Sequence, residues 1–182
     1  LILIKYLLHN EINSLNEIIK QSHASISVLG IVPKYKSEIP VSQLIVDKNP
    51  KSLISESFRA IRTNLQFINN SPGVKLAAVT STISGEGKTF VAINLAGIIA
   101  YSGKKVIIID LDMRKPKIHV GFGTDNEKGT STILIGRDTL DNCIRKSSFE
   151  NLNFITAGPI PPKPSELILS HKVNDLIEEL KQ

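Results

Sequence analysis

The segment from Val79 to Thr89, V-T-S-T-I-S-G-E-G-K-T, places two glycines, a lysine and a threonine in an order that can bind a phosphate chain. Gly85 and Gly87 allow the backbone to turn tightly and to aim its N–H groups at phosphate oxygens. Lys88 can reach the β- and γ-phosphates, and the Thr89 hydroxyl is the expected Mg²⁺ ligand. The sequence therefore predicts a P-loop whose cofactor-binding residues are Gly85, Glu86, Gly87, Lys88, Thr89 and Phe90.

This P-loop departs from the strict pattern at one position. The strict pattern has a glycine five residues before Gly87, where this chain has Thr82. The context is nevertheless the one that a P-loop requires, because a predicted strand over 74–80 precedes it and a predicted helix over 88–101 follows it. The alternative is a glycine-containing turn with a chance Lys-Thr pair, and the next motif along the chain argues against that alternative.

Two carboxylates follow the next predicted strand. The run Val106–Ile109 is uniformly apolar and β-branched, as in strands that are covered on both faces. Asp110 and Asp112 then lie at its carboxyl end, where open parallel sheets bind their ligands. They could hold Mg²⁺ directly or through water, or one could accept a proton from an attacking hydroxyl. Alternatively, they only end the strand as turn formers. The sequence predicts Lys88, Asp110 and Asp112 as catalytic residues, and Thr89, Asp110 and Asp112 as metal ligands.

The elements around these motifs alternate between strand and helix. Short helices are predicted near 130–136 and 138–146, a strand over 152–156, and a last helix from Ser165, its predicted N-cap, to the end. This rhythm predicts an α/β fold with a mainly parallel sheet and right-handed crossovers. Together with the phosphate motif it predicts a P-loop NTPase-like, three-layer domain.

The first fifty residues differ in character from the rest. Residues 1–22 have helical periodicity, residues 26–32 read as extended, and three prolines mark 33–50 as a linker. A helix is then predicted from Ser52 to Ile68, with Phe58, Ile61, Leu65 and Ile68 on one apolar face. The same spacing places Glu56, Arg59 and Arg62 in a charged stripe on the opposite face, which on its own could be a solvated, salt-bridged surface.

Composition limits the function classes. The 182 residues are 41% apolar and carry a net charge of +5, without a run of like charges. A single cysteine excludes an internal disulfide framework and a cysteine-based zinc site. Aromatic residues make up 5% and no basic stripe accompanies them, which argues against nucleic-acid binding. The apolar start is too short for a membrane span, and the missing initiator Met indicates a fragment, which is expected to be soluble.

The motifs resemble those of the bacterial tyrosine kinases, which use P-loop motifs for phosphoryl transfer. The resemblance covers nearly the whole chain from about residue 7. It rests on five segments: L-G-I-V-P at 29–33, E-x-x-R-x-x-R at 56–62, the P-loop with A-I-N-L-A at 92–96, D-L-D-M-R at 110–114, and G-P-I-P-P-K-P-S-E-L at 158–167. Two positions differ from the family pattern, with Ser84 where proline is common and Lys163 where asparagine is usual.

The resemblance implies an ATP- and Mg²⁺-dependent tyrosine autokinase that regulates capsule or exopolysaccharide polymerisation and export. It implies a ring-shaped homo-oligomer formed through Glu56, Arg59 and Arg62. It also implies fusion to a membrane-spanning chain-length regulator, at the cytoplasmic face of the bacterial inner membrane. Residues 1–50 would be the juxtamembrane helix and linker, and 51–182 the kinase domain. That domain is expected to be C-terminally incomplete, because the family's third motif, D-T-P-P, is absent, so the fragment should be weak or inactive.

Two other functions remain possible from the sequence. A partition- or septum-positioning ATPase usually has a lysine early in its P-loop, where this chain has Ile83, and Arg114 after the two carboxylates also argues against that class. The other possibility is a non-catalytic nucleotide-binding partner of a membrane-embedded chain-length regulator. The segment before residue 50 favours fusion over a separate partner.

Overall fold

A computed structural model describes residues 27–34, 44–48 and 50–181. The predicted helix over 1–22 lies outside these ranges. The elements run in the order α1 (Ile45–Lys48), α2 (Leu53–Ile68), α3 (Lys88–Tyr101), β1 (Val106–Ile109), α4 (Ile118–Gly121), α5 (Thr130–Leu134), α6 (Leu140–Cys143), β2 (Arg145–Lys146), β3 (Leu152–Ile155), α7 (Pro164–Ile168) and α8 (Lys172–Leu180). No helix within the described ranges is long and apolar enough to cross a membrane.

The sheet has the order β1-β3-β2. β1 pairs with β3 in parallel, with Val106 opposite Leu152 and Ile109 opposite Ile155, whereas β2 pairs with β3 in antiparallel. Two parallel strands joined by a long crossover that contains helices are typical of α/β folds. The predicted strands over 105–110 and 152–156 are therefore confirmed.

Side chains of the two parallel strands alternate between two apolar layers, as the period of a strand requires. Ile108 and Phe154 pack with residues of α3 on one face of the sheet. Ile107, Ile109 and Ile155 pack on the other face, with residues of α5, α6, α7 and α8. The buried side chains of this second cluster are Met113, Leu134, Leu140, Cys143, Ile155 and Leu176. Helices thus cover both faces of the sheet, which confirms the three-layer α/β architecture.

A third apolar cluster joins the N-terminal part of the chain to α2 and α3. Its buried members are Val46, Ile54, Phe58, Ile61 and Ile98, and Leu29, Val32 and Leu44 pack against them. Part of the predicted linker is therefore packed against the domain that follows it. We call residues 27–34 and 44–48 the strap.

Two asparagines and two glycines hold the strap in place. The Asn94 side chain of α3, which is fully buried, accepts hydrogen bonds from the Ile45 and Val46 backbone N–H groups, at 2.7 and 3.3 Å. The absence of a side chain at Gly97 leaves room for Leu44 and Val46, since a β-carbon there would lie 2.9 Å from a Val46 methyl. At α2, the Asn64 amide donates to the Leu29 carbonyl at 2.7 Å. Gly30 packs in the same way against Ile61.

Helix α2 confirms the prediction for 52–68 in its extent. Ser52 is the N-cap, and its hydroxyl accepts a hydrogen bond from the Ser55 N–H at 3.2 Å. The predicted apolar face is buried in its first half at Phe58 and Ile61. The C-terminal end of this face is not buried, since Ile68 is 61% exposed.

The prediction of a buried strand over 74–80 is wrong. These residues form no regular secondary structure, and their backbone is paired with no strand in the described part of the chain. Val74 and Leu76 are 65% and 66% exposed. An apolar, β-branched run favours extended backbone, but a strand also needs a neighbour to satisfy its N–H and C=O groups. Pattern alone could not show that this neighbour is missing.

Three helix boundaries also differ from the predictions. The helices near 130–136 and 138–146 are shorter, at Thr130–Leu134 and Leu140–Cys143, and Arg145 begins the edge strand β2 instead. The predicted last helix is two helices, α7 and α8, separated by a turn after Ile168. Helix ends are the part of a sequence-based prediction that is least well determined, because local pattern does not fix where a helix stops.

Candidate nucleotide site

The phosphate loop (residues 80–89) leads directly into α3. Gly87 is the N-cap of that helix and has a φ of 94°, while Gly85 has a φ of 98°. Both values lie in the region that favours glycine, and the space where a β-carbon would stand is open at both positions. The N–H groups in the first turn of α3 have no acceptor within the helix, which makes this turn suitable for an anion. Lys88, Thr89 and Phe90 form that first turn and are half-buried.

Two side chains fix the turn inside the phosphate loop. The Ser81 hydroxyl donates to the Ile83 carbonyl at 2.9 Å, and the Ile83 N–H donates to a Glu86 carboxylate oxygen at 3.1 Å. The N–H and C=O groups of Ile83 are thus both hydrogen-bonded to side chains of the same loop. The structure places Glu86, predicted as a cofactor-binding residue, in contact with the loop backbone, where it stabilises the shape of the loop.

The acidic loop (residues 110–118) starts from the carboxyl end of β1. Asp110 is 5% exposed, and its two carboxylate oxygens accept hydrogen bonds from the Asp112 and Ile118 N–H groups, at 3.0 and 3.3 Å. Burial raises the pKa of Asp110, helped by the nearby charge of Asp112 and opposed by these backbone hydrogen bonds. Both of its oxygens therefore stabilise the loop.

Asp112 joins the acidic loop to the phosphate loop. One of its carboxylate oxygens lies 2.7 Å from the Lys88 ammonium, and the other accepts a hydrogen bond from the Lys115 N–H at 3.0 Å. Partial burial would raise the pKa of Asp112, but the hydrogen bond and charge of Lys88 and the backbone hydrogen bonds together lower it. The structure thus brings together Lys88 and Asp112, with Asp110 two residues away.

The donor set suits a nucleotide bound with Mg²⁺. Glycines with open space and an unbonded first helical turn suit phosphate oxygens, and Lys88 supplies a positive charge for them. The Thr89 hydroxyl and the two carboxylates are hard oxygen ligands of the kind that Mg²⁺ prefers. The described residues contain no cluster of three or more acidic, His or Cys side chains that could hold a metal alone. A metal here would depend on phosphate oxygens for part of its coordination.

The acidic loop has one further side-chain contact with a distant element. The Arg114 guanidinium donates to the Ser165 hydroxyl of α7 at 2.8 Å. The prediction of Ser165 as a helix N-cap is wrong, because Lys163 is the cap and the helix begins at Pro164. The P-S-E-L motif that contains Ser165 stood out in the sequence, but nothing there indicated contact with Arg114, 51 positions earlier.

The three charged residues of α2 do not form one exposed stripe. Glu56 and Arg59 form an ion pair one turn apart on the surface. Arg62 instead donates to the Ile98 carbonyl near the end of α3, at 3.1 Å, and its Nε is buried. At 100° per residue, Arg62 lies only about 60° from Leu65, so it belongs to the flank of the apolar face. The predicted stripe is therefore wrong for Arg62.

Comparison with known proteins identifies the family. The AAA domain family matches residues 74–179. A putative tyrosine-protein kinase, CapB of Staphylococcus aureus, is 43% identical over 145 residues, which are 80% of this chain and 64% of CapB. The tyrosine-protein kinase YwqD of Bacillus subtilis is 40% identical over 136 residues, or 75% of this chain and 57% of YwqD. The chain therefore spans about three fifths of the length of these relatives.

A solved structure supports the same assignment. The kinase domain of the Escherichia coli tyrosine kinase ETK superposes with a TM-score of 0.80 and 30% sequence identity. The superposition covers 92% of this chain and 68% of that one. The P-loop and three-layer fold predicted from the sequence are thus shared with a kinase domain. The chain belongs to the family of bacterial tyrosine-protein kinases, and its fold is that of their P-loop domain.

Proposed function

We propose that this chain is the nucleotide-binding part of an ATP-dependent protein-tyrosine autokinase that regulates capsule or exopolysaccharide polymerisation and export. The observation that carries the proposal is the 2.7 Å contact between Lys88 and Asp112, which joins the phosphate loop to the acidic loop. The geometry alone does not specify which group accepts the phosphate. Tyrosine is proposed as the acceptor because the relatives that align with 75–80% of this chain are named as tyrosine-protein kinases.

Lys88 has two partners in this proposal. Without nucleotide it neutralises Asp112. When ATP binds, the β- and γ-phosphates attract the ammonium, and the Asp112 oxygen that it held becomes available for Mg²⁺ with the Thr89 hydroxyl. Mg²⁺ supplies charge stabilisation on the phosphates in the bound state. Both oxygens of Asp110 accept backbone hydrogen bonds, so Asp110 keeps Asp112 in place. Asp110 would bind Mg²⁺ through a water molecule and not directly.

The transfer itself forms a bond between the tyrosine oxygen and the γ-phosphorus and breaks the bond from that phosphorus to the β–γ bridging oxygen. ADP is the leaving group, and the tyrosine proton passes to a carboxylate of the acidic loop. Asp110 and Asp112 are the two candidates for this acceptor, and Asp112 is the more accessible of them, since its side chain is 25% exposed and Asp110 is buried. The protein's contribution is mainly positioning and electrostatic stabilisation.

The resemblance to the family also supports a proposal for the wider assembly. We propose that a ring of identical subunits forms through the Glu56–Arg59 pair of α2, in which Glu56 is exposed and Arg59 half-buried, while Arg62 joins that helix to α3. The strap would connect the ring to a membrane-spanning chain-length regulator at the cytoplasmic face of the bacterial inner membrane.

The test is ATP binding by calorimetry with Mg²⁺, with Lys88→Ala compared with the unchanged chain. Loss of a charged hydrogen-bonding group should weaken binding by about tenfold to 100-fold. Lys105→Ala is the matched control, because Lys105 is exposed and lies next to the opposite end of β1. Equal affinity in all three proteins would show that the phosphate loop does not bind the nucleotide. A chain that never binds ATP would contradict the proposed function altogether.

A further inference from the structure

The proline-containing loop (residues 158–163) is anchored at its start by backbone contacts. The Asn126 side chain bonds to Gly158 twice, donating to its carbonyl at 2.6 Å and accepting from its N–H at 2.9 Å. The Ser131 hydroxyl donates to the Pro159 carbonyl at 2.8 Å. The loop therefore leaves the sheet in a fixed direction and ends at α7.

Helix α7 and the acidic loop are linked by a shared apolar cluster and by one hydrogen bond. Met113, which is 1% exposed, belongs to the same apolar cluster as Leu167 and Ile168 of α7. Beside it, the Arg114 guanidinium donates to the Ser165 hydroxyl at 2.8 Å. The shared cluster is apolar and does not specify a direction. The hydrogen bond joins two exposed side chains, and its charged donor and definite geometry can fix the orientation of the loop.

The internal bonds of the acidic loop connect Arg114 to Asp112. Lys115, the next residue, donates its N–H to the Asp112 carboxylate at 3.0 Å, so the turn closes around Arg114. Any rotation of this turn would move the carboxylate oxygen that faces Lys88. Arg114 is therefore placed to transmit the position of α7 to Asp112.

We propose that Arg114 and Ser165 are a positioning pair that holds the Asp112 carboxylate in place from α7, which makes the proline-containing loop a support of the nucleotide site. The pair acts through Asp112 and does not itself contact the nucleotide. The effect of the pair on Mg²⁺-dependent ATP binding rests on the proposed function. Its effect on the stability of the acidic loop in the nucleotide-free protein does not.

The first experiment uses the chain without nucleotide and measures amide hydrogen exchange at Lys115. Loss of the hydroxyl in Ser165→Ala should speed this exchange by about fivefold, the worth of one hydrogen bond. Ser170→Ala is the control, since Ser170 follows the same helix and its hydroxyl donates to the Leu167 carbonyl. Arg114→Ala should show the same increase, and the double variant no further one. The proposed pair would be contradicted by unchanged exchange at Lys115 in the single variants or by additive increases in the double variant. An equal increase in Ser170→Ala would also contradict it.

The second experiment measures ATP affinity with Mg²⁺ and with EDTA. Mg²⁺ should raise the ATP affinity of the unchanged chain relative to EDTA. In Ser165→Ala this ratio of affinities should be about fivefold smaller, while the affinity in EDTA should be unchanged. Ser165→Thr keeps the hydroxyl and should restore the gain, which a purely structural role in α7 would not require. Equal weakening in both conditions, or no recovery with threonine, would overturn the proposal. If the unchanged chain binds no ATP, the proposed function fails, and hydrogen exchange alone still decides on the pair.

Discussion

The phosphate loop and the acidic loop meet at the contact between Lys88 and Asp112, yet they are supported in different ways. The acidic loop starts from a paired strand, places Met113 in the core and ends at Ile118, which is 5% exposed. The phosphate loop follows an exposed, unpaired segment, and its internal hydrogen bonds join residues no more than three positions apart.

The two loops therefore depend on different parts of the protein for their geometry. The geometry of the acidic loop depends on the tertiary fold, so damage to its supports should lower the stability of the whole domain. The shape of the phosphate loop depends on local residues, and its position depends on α3. Changes within the phosphate loop should therefore lower nucleotide affinity more than stability.

The largest expected effect comes from a substitution on the side of the fold that supports the acidic loop, at Gly129, the N-cap of α5. A β-carbon there would overlap the Thr156 carbonyl where α5 begins against the continuation of β3. Because the obstacle is backbone, we expect Gly129→Ala to lower the free energy of unfolding by about 3 kcal/mol. Urea denaturation measures it.

Gly136→Ala is the matched control for Gly129. It has open space and a φ of 76°, so only backbone strain of about 1 kcal/mol is expected. Equal costs for the two variants would mean that the fold on this side tolerates expansion, and the distinction between the two loops would fail.

The next prediction concerns the support of α3. Asn94→Ala removes the acceptor of the buried Ile45 N–H group, and we expect a loss of about 2 kcal/mol in the free energy of unfolding. The exposed Asn64, whose amide donates to the Leu29 carbonyl, serves for comparison. Asn64→Ala should cost less than about 1 kcal/mol. Similar small losses in both variants would show that the strap does not contribute to the fold.

A smaller stability effect is expected in the phosphate loop itself. Gly85→Ala introduces a side chain at a φ of 98° in open space, so stability should fall by no more than about 1 kcal/mol. ATP affinity should fall by about tenfold, because relief of the strain changes the loop. Gly73→Ala has a φ of 99° and equally open space outside the loop, and it should leave affinity unchanged. Calorimetry and denaturation together distinguish the two effects.

The smallest expected effect is the pH dependence of the contact between the loops. The pKa of Asp112 is lower in the folded chain than in the unfolded one, so its contribution is complete above about pH 4 and is lost as pH falls through the folded value. Asp112→Asn should make the loss of stability as pH falls below about 4 shallower, by less than about 1 kcal/mol. The exposed Asp141, changed to asparagine, controls for net charge. An unchanged slope would mean that the contact does not contribute to stability.

Asp110 should act in the opposite direction. Its pKa is raised on folding, so its ionised form opposes folding above the folded value, and stability is regained as pH falls through that value. The two carboxylates of one motif thus have pH effects of opposite sign. This is expected from their environments, since one is buried and the other faces a lysine.

Much of this arrangement could be predicted from the sequence because it is local. The glycines before Lys88, the apolar run before Asp110 and the apolar face of α2 are all patterns within one element. They correctly predicted the fold class, α2, α3 and both parallel strands. The roles assigned to the site residues stay predictions until nucleotide binding is measured.

The errors arose where distant residues decide the structure. Residues 74–80 have a strand-like sequence, but their state depends on whether another strand lies beside them. Ser165 has the composition of a helix cap, but Pro164 begins the helix and Arg114 takes the hydroxyl. Arg62 appeared to be a surface charge, but a carbonyl of α3 is close enough to accept its hydrogen bond. No pattern within one element contains such information.

The single cysteine gives the domain a built-in reporter of its own opening. Cys143 is fully buried in the cluster that supports the acidic loop, and burial raises the pKa of its thiol. An alkylating reagent can therefore reach a reactive thiolate only in molecules in which this cluster has opened. Labelling kinetics, followed by mass spectrometry without any added probe, would report how often α6 separates from the sheet. The same measurement with and without ATP would show whether ligand binding changes the rate at which this cluster, on the face of the sheet opposite α3, opens.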